Sequence, residues 1–526
     1  MASVYRKLDH SYYTGNVLAV DMFHLQTNEL LDAEGDADAK KKVLRRDYNI
    51  LSTGCGNLRH LIYTIASVPE EFEGNLKVTL NDIDPFIQAR NVLFIFMMMH
   101  YSMDADNDIA SKITTIWYSL HLPDDTYELL KESLTMLCTF NGPMLKIMTQ
   151  GKVDITNAEY DILREVWHGW IKVDEQQKSG RSKSLNKQRD ELLFGIDLTA
   201  TQGFLTSFTA QIPAQHGKSI ESWAYNGDFL ASGKTAQFGH LNPTLTGKEA
   251  RIFPENETPA EGLHKSLQSP SEVEFVFCVP LNLMPFADWD YRQASGFADD
   301  DSLLVMYHAY VTNQIKQLMK FAVDGGRLAI RIDVGSCEEI TESRMNGDKY
   351  DRIFTSNLAD YIGTKILLDV MKPLLNTDNE NAVIVTQYWN WYHFFPLSKV
   401  DHPVYRLNGL SGEWIKYASC DTNTFLPFTP SQHFYQEYFN NTPYFIDYLR
   451  TDLKACRYLE DTDDLSDDKI PSFHQVKNCS EGLRMRDFRQ DLNKVAPWRY
   501  RCNVRAVNML PGYSRMLEWY NHDSSS

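Results

Sequence analysis

Residues 49–60, NILSTGCGNLRH, decide the fold. The run from Asn49 to Thr53 is apolar and has the length of a buried strand, Gly54-Cys55-Gly56 breaks it, and Leu58 to Ile65 has helical spacing. A strand that enters a helix through G-x-G brings the backbone close to a ligand, because the first N–H groups of the helix point out of the turn. Asn57 is also a competent helix N-cap, so an ordinary tight turn is equally compatible with this segment. Other parts of the sequence are needed to distinguish a structural turn from a nucleotide site.

A second strand supplies the next observation. Lys77 to Asn81 (KVTLN) reads as a strand, and Asp82 follows it, 26 residues after Gly56. An acid at this strand tip can accept hydrogen bonds from both ribose hydroxyls of an adenosine. A dinucleotide fingerprint needs Gly or Ala three positions after Gly56, where the chain has Arg59, and this disfavours NAD and FAD. The turn and Asp82 together predict a binding pocket for an adenosine-bearing small molecule other than NAD or FAD.

Strands and helices alternate over much of the chain. This pattern predicts an α/β fold with a mostly parallel sheet covered on both faces. Further strands are predicted at 273–279, 327–334, 350–355 and 382–386, and helices at 86–99, 125–140, 157–173, 302–323 and 358–375.

The same pattern predicts five regions. They are an N-terminal extension (1–47), the first half of a Rossmann-like domain (48–100), an inserted and mostly helical subdomain (101–265), the second half of the Rossmann-like domain (266–400) and a mixed C-terminal region (401–526). Within them, the apolar-poor segment 175–191 and the acidic segment 459–468 are predicted to be loops.

Composition narrows the classes of partner. The net charge of -18 repels a phosphate backbone, so nucleic acid is not expected. The eight cysteines are scattered, without C-x-x-C or zinc-ligand spacing, so no metal site is predicted. The longest apolar run, Val92 to Met99, is far shorter than a membrane span of about 20 residues, and the N-terminus lacks a signal pattern. We therefore expect a cytoplasmic protein that does not cross a membrane.

Four segments resemble class I S-adenosylmethionine-dependent methyltransferases. ILSTGCGNL resembles their first motif, VTLNDIDP their second-strand acidic motif, RLAIRIDVGSCEEI their third strand, and DRIFTSN their fourth strand with the start of the active-site motif. The resemblance implies a Rossmann-like class I methyltransferase-type sheet with a large, mostly helical insertion and a mixed C-terminal region. Ser52 and Leu58 depart from the pattern, because the family usually has an acid and a glycine at these positions.

The resemblance also implies a set of site residues. S-adenosylmethionine would be held by Gly54, Cys55, Gly56, Asn57, Asp82, Ile83, Ser336 and Cys337. Ser356, Asn357 and Asp360 stand where methyltransferases orient the acceptor atom, with Ser356 and Asn357 as the catalytic candidates, although Asn357 could equally cap the following helix. No general base is identifiable, and methyl transfer to a good nucleophile needs mainly positioning.

A closer resemblance covers three blocks. GCGNLRHLIYTIA, NDIDPFIQARNVLF and FTSNLADYIG resemble the family called domain of unknown function 4470, which also forms the N-terminal part of axonemal dynein assembly factors. Two functions are therefore predicted. The first is an S-adenosylmethionine-dependent methyltransferase with a small-molecule or protein acceptor. The second is a non-catalytic scaffold or assembly factor that uses a methyltransferase-like fold to bind a protein partner.

Two further groups have alternative interpretations. Arg59 and His60 follow the glycines and could form a cationic cradle for an anion. Alternatively, one of them could face solvent while the other packs against the sheet edge. The aromatic run YWNWYHFF, residues 388–395, could wall a substrate pocket or a protein-binding patch, but is more typical of core.

Overall fold

The protein is described by a computed structural model. It covers residues 7–8, 13–15, 17–102, 108–178, 213–235, 240–248, 251–252, 275–277, 286–297, 301–398, 441–459, 470–496, 498 and 514–522. The chain forms two compact units, the first of Met1–Val20, Gly56–Ala66 and Thr79–Ser336, the second of Asp21–Cys55, Ser67–Val78 and Cys337–Ser526.

The described residues form a mixed α/β structure with many helices. In chain order these are α1 (Glu29–Asp32), α2 (Ala37–Arg45), α3 (Arg59–Ala66), α4 (Pro85–His100), α5 (Ile109–Tyr118), α6 (Asp124–Thr139), α7 (Gly142–Met148), α8 (Asn157–Lys178), α9 (Ala214–Asn226), α10 (Tyr291–Phe297), α11 (Leu303–Met319), α12 (Ala359–Ile362), α13 (Thr364–Met371), α14 (Thr442–Leu459) and α15 (Phe473–Lys477).

The large central sheet is rich in parallel strands. Its strands are β1 (Tyr48–Thr53), β2 (Leu76–Asp82), β3 (Val153–Asp154), β4 (Leu328–Val334), β5 (Arg352–Phe354), β6 (Val383–Tyr388), β7 (Leu483–Met485) and β8 (Arg515–Asn521), in the order β7-β8-β6-β5-β1-β2-β4-β3. In the first unit, β4 pairs in parallel with β3. In the second unit, β5 pairs in parallel with β1 and β6, whereas β8 is antiparallel to β6 and β7.

Local signals explain strand β1, which leads into the glycine turn, and helix α4, which follows Asp82. Strand β1 is buried at every position except Asn49, and Ile50 and Leu51 are fully buried, as expected for a parallel strand covered on both faces. Helix α4 begins after Asp84, whose side chain accepts the Phe86 N–H at 2.9 Å, and Pro85 occupies its first turn. Fifteen of its residues are buried, so it is a core helix with no solvent face.

One predicted strand was assigned to the wrong sheet. The segment predicted at 273–279 is a strand only at Phe275–Phe277 among the described residues, and it pairs antiparallel with Thr246–Lys248 as a separate two-stranded sheet. An apolar run shows that a strand is buried but not which strand is its neighbour. Strands β3, β7 and β8 were not predicted. The loop predictions were wrong where the structure describes them, because residues 175–178 belong to α8 and Leu459 ends α14. The rest of these predicted loops, 179–191 and 460–468, lies outside the described part of the chain.

The helix predicted at 358–375 is broken. Gly363 separates α12 from α13 with a φ of 86°, a backbone conformation that residues with a side chain rarely adopt. A Cβ at Gly363 would lie 2.3 Å from the Sγ of buried Cys456, so α14 leaves room only for glycine. The helical periodicity was read correctly, but one glycine inside it marks a close approach that the pattern does not reveal.

Candidate functional site

The glycine turn depends on the conformational freedom of glycine. Gly54 and Gly56 have φ values of 60° and 58°, so both occupy the left-handed region. Within the first unit, the Gly56 N–H donates to Oδ2 of Asp82 at 2.9 Å, and the Gly56 carbonyl accepts from the Asn91 side-chain amide at 2.8 Å. Two residues that are 26 positions apart in sequence therefore meet directly.

Asp82 is a buried carboxylate that closes this turn. Its Oδ1 accepts the Asp84 N–H at 3.0 Å, and the side chain is only 9% exposed. Burial raises the pKa of Asp82 to about 6, against the lowering effect of the N–H groups of Asp84, Gly56 and Ile83. The Gly56 and Asp84 N–H groups each donate to one oxygen of this carboxylate, so each oxygen keeps a second lone pair for a further donor.

The turn after β4 lies beside the same strand end. The Gly335 N–H donates to the Asp82 carbonyl at 3.0 Å. The Asn81 side chain donates to Asp333 Oδ2 at 2.7 Å and to the Gly335 carbonyl at 3.0 Å. Ser336 follows this turn, so four of the predicted cofactor residues, Gly56, Asp82, Ile83 and Ser336, occupy one region of the first unit.

Asn57 and Arg59 are turned into the protein. Asn57 donates to Oδ2 of Asp288 at 2.9 Å and to the Tyr13 carbonyl at 3.2 Å, while its Oδ1 accepts from the Arg59 backbone N–H and guanidinium. The Arg59 Nε donates to the Val17 carbonyl at 3.1 Å, and the residue is 5% exposed. The Asn57 side chain therefore satisfies the first N–H of α3, but from one position before the N-cap, which is Leu58.

Asp288 is the member of this cluster that the sequence did not reveal. It also accepts the Gly15 N–H at 3.0 Å and the Tyr118 hydroxyl at 3.2 Å. Burial raises its pKa, and the charge of Arg59 opposes that effect. No local pattern around FADWD marks Asp288, because its partners come from distant parts of the sequence.

The pair Arg59 and His60 does not form the cationic cradle considered above. The His60 Nδ1 accepts the Val20 N–H at 3.1 Å, which requires a neutral ring nitrogen. Burial, together with the nearby Arg59 charge, holds the pKa of His60 well below its usual value. His60 is therefore uncharged at neutral pH, and Arg59 is committed to the buried cluster.

The second unit holds the remaining predicted residues, Gly54, Cys55, Cys337, Ser356 and Asn357. Strand β5 brings the 356–358 turn close to Gly54, where an added Cβ would lie 3.2 Å from Leu358 Cγ. Ser356 has a φ of 46° and its carbonyl accepts the Gln387 N–H at 3.1 Å. The Cys55 and Cys337 side chains are buried, at 5% and 8% exposure.

Asn357 does not cap α12. The helix starts at Ala359, its N-cap position is Leu358, and no side-chain hydrogen bond caps it. The side-chain nitrogen of Asn357 is buried and has no acceptor among the residues that the structure describes. Asp360, by contrast, accepts the N–H groups of Trp389 at 2.7 Å and Asn390 at 2.8 Å, and the Tyr448 hydroxyl at 3.0 Å.

The aromatic run at 388–395 is largely core. Tyr388, Trp391 and Tyr392 belong to the hydrophobic core of the second unit, whereas Phe394 is 61% exposed. This supports the core interpretation for most of the run.

Comparison with known proteins gives one match. Residues 13–122 match a family model described as "Domain of unknown function (DUF4470)". This range includes the glycine turn and Asp82, but not FTSNLADYIG at 354–363. No curated protein and no solved structure shows a significant match.

Among the helices that the structure describes, none has both the length and the apolar character needed to cross a bilayer. Within the same part of the chain, His, Cys, Asp and Glu side chains form no group of three or more suited to a metal ion.

Proposed function

We propose that the protein binds S-adenosylmethionine at the glycine turn and transfers its methyl group to an acceptor. The observation that carries the proposal is the 2.9 Å hydrogen bond between the Gly56 N–H and Asp82. It joins the two segments that an adenosine-bearing cofactor needs, at the carboxyl end of a strand, where α/β folds bind their ligands.

The residues around Gly56 fit such a cofactor. A Cβ at Gly56 would meet only Arg59 Nη1, at 3.6 Å, among the described atoms within 4 Å. The missing side chain therefore leaves room for a ligand to approach the backbone. Asp82 and the turn containing Ser336 adjoin through the Gly335 hydrogen bond, which suits contact with a ribose and an adenine at neighbouring positions.

Each residue has a defined task in this proposal. Asp82 accepts ribose hydroxyls through its unused lone pairs, and Ile83 and Ser336 flank the adenine. When bound, the cofactor would supply an electrophilic methyl group, and its transfer to an acceptor nucleophile would release S-adenosylhomocysteine and, from a protonated nucleophile, one proton to solvent. The protein contributes mainly by holding the reactants in line.

Calorimetric titration tests binding. We expect S-adenosylmethionine and S-adenosylhomocysteine each to bind with a one-to-one stoichiometry. Hydroxyl donors stabilise the charged form of Asp82, so binding near pH 6 should release up to about half a proton per site. The proton number is measured by repeating the titration in buffers of different ionisation enthalpy.

A matched pair of variants separates blocked binding from unfolding. Ser336 is partly exposed, so Ser336→Trp should block the site, whereas Ser336→Ala should bind nearly as tightly as the natural chain. A folded protein that gives no heat with either ligand at millimolar concentration refutes the proposal, and so does equal binding by the Trp and Ala variants.

A second candidate function, the non-catalytic scaffold, is supported by the buried cluster of Asn57, Arg59 and Asp288. These residues stabilise the start of α3 through bonds within the chain, at the helix end where an anionic ligand group often binds. Such a turn needs no cofactor to remain ordered.

The scaffold proposal predicts a different pattern of results. The natural chain and Ser336→Trp should recover the same protein partner from native cells, in equal and stoichiometric amounts, and neither should bind S-adenosylmethionine. Partner recovery that Ser336→Trp abolishes would instead connect the partner to the cofactor site and contradict a purely structural role.

A further inference from the structure

Two buried donors near the carboxyl ends of β5 and β6 lack acceptors. They are the side-chain amide of Asn357 and the indole N–H of Trp389, and neither has a hydrogen-bond partner in the described part of the chain. A buried donor that is left unpaired costs about 1–3 kcal/mol. Folded proteins contain few such groups, so two in one place call for a physical reason.

Asp360 is hydrogen-bonded to the backbones of both residues that carry these donors. Its backbone N–H donates to the Asn357 carbonyl at 3.1 Å, and its Oδ2 accepts the Trp389 backbone N–H at 2.7 Å. Strands β5 and β6 are parallel neighbours, with Phe354 opposite Val385, so both residues follow adjacent strands at the same edge. All of these residues lie in the second unit.

Backbone strain occurs at the same edge. Ser356, next to Asn357, has a φ of 46°, which is unfavourable for a residue with a side chain. Its carbonyl accepts the Gln387 N–H of β6 at 3.1 Å, so the neighbouring strand fixes this conformation. Strain and unpaired donors at the carboxyl end of parallel strands are typical of a ligand site.

The nearby charges select the ligand. The carboxyl groups of Asp360 and Asp452 are close enough to act on each other and on Tyr448. They would repel a carboxylate or a phosphate. A neutral carbonyl oxygen meets no such penalty and can accept a hydrogen bond from either donor. The partly exposed Trp389 ring, which packs against Tyr392 at 5.7 Å, adds an apolar wall.

We propose that Asn357 and Trp389 form a binding site for a neutral amide carbonyl oxygen, with Asp360 as the residue that positions both donors. The site does not depend on S-adenosylmethionine, because every contact that defines it lies in the second unit. It assigns a ligand class, an amide-bearing molecule or segment, to this edge of the sheet.

The test uses the indole N–H of Trp389 as a reporter. Protein labelled with ¹⁵N-tryptophan has ten tryptophans, and Trp389→Phe identifies the Trp389 signal by its loss. We expect titration with N-methylacetamide to move this signal downfield with saturation, while the signal of fully buried Trp391 stays in place. Acetate at the same concentration and pH 7 should move it less.

The variant Asn357→Asp keeps the side-chain shape and removes both amide donors. It should weaken the apparent affinity for N-methylacetamide by about tenfold, the effect of one lost hydrogen bond. A Trp389 signal that does not move, or that drifts linearly together with the other indoles, overturns the proposal. Stronger binding of acetate than of N-methylacetamide overturns the assigned ligand class. The first two readouts need only the natural chain and Trp389→Phe, so they hold even if Asn357→Asp does not fold.

Discussion

Asp82→Asn should change the pH dependence of stability in a way that follows from the burial of Asp82. The ordinary pKa of 3.8 is raised to about 6, which is about two pK units. At 1.36 kcal/mol per unit, charging the buried carboxyl costs the folded state about 3 kcal/mol. Because the pKa of Asp82 is higher in the folded state than in the unfolded state, the protonated carboxyl favours folding. Its contribution to the free energy of unfolding is fully present below pH 3.8 and is lost as the pH rises through about 6.

The asparagine variant does not titrate, but it loses one acceptor. Asn has a single oxygen for the N–H groups of Gly56 and Asp84, so one of them faces an amide nitrogen. This costs about 1–3 kcal/mol at every pH. We therefore expect the variant to be less stable than the natural chain at pH 4, and equally or more stable at pH 7 to 8. The difference in stability between the two proteins should change by about 2 kcal/mol over this range, because the unfolded-state carboxyl is already partly ionised at pH 4.

Hydrogen exchange measures this difference locally. Mass spectrometry of peptides that cover α3 and the end of β2 gives their opening free energy for both proteins at each pH, so the intrinsic exchange chemistry cancels. Asp487→Asn is a control of opposite sign, because Arg489 and Lys477 hold the pKa of Asp487 well below its usual range. The natural chain should keep its advantage over that variant at neutral pH and lose it below about pH 4. If the difference in opening free energy between Asp82→Asn and the natural chain stays constant from pH 4 to 8, the argument from the burial of Asp82 is refuted.

Three substitutions test other contacts. Gly15→Ala should destabilise the protein by about 1–3 kcal/mol, because its Cβ would lie 2.5 Å from the Cζ of hydrogen-bonded Arg59. In urea unfolding, Gly15→Ala should add no further cost when it is made in the Arg59→Ala variant. Gly363→Ala should cost about 2–4 kcal/mol from its φ of 86° and from Cys456, and Cys456→Ala should restore the steric part in thermal unfolding. Arg352→Met should lower the free energy of unfolding by about 3–5 kcal/mol, because Arg352 is fully buried and paired with Glu29. Arg45→Ala breaks the exposed Arg45–Glu73 pair and should cost at most about 1 kcal/mol in the same denaturation series.

The parts of the fold that local sequence encodes were predicted well. The glycine turn, the strands that flank it and the helix after Asp84 each have short-range signals: apolar runs, glycine in the turn, and an Asp-Pro start. Pairing partners were harder, since Phe275–Phe277 joins Thr246–Lys248 through hydrogen bonds between residues about thirty positions apart. Apolar character alone does not encode that choice.

The site divides in the same way. The meeting of Gly56 with Asp82 could be predicted, because parallel strands end at one edge of a sheet and the spacing of the two motifs was known. Asp288 could not be predicted, because its donors, Gly15, Asn57 and Tyr118, come from three distant segments. The unpaired side-chain nitrogen of Asn357 also could not be predicted from the sequence, because an asparagine at this position is equally compatible with a helix cap.

The glycine turn is stabilised from within the chain, and this affects both proposed functions. The Gly56 N–H and the Asp84 N–H already satisfy one lone pair on each oxygen of Asp82, so a ligand adds donors and displaces none. Added donors favour the charged carboxylate and reduce the cost of its burial, so part of the cofactor's binding energy would come from relief of that cost. A scaffold without a ligand keeps the whole cost, about 3 kcal/mol at neutral pH, in its folded state. The buried charge at Asp82 is therefore easier to explain in a protein that binds a hydroxyl-bearing ligand than in one that uses the turn for structure alone.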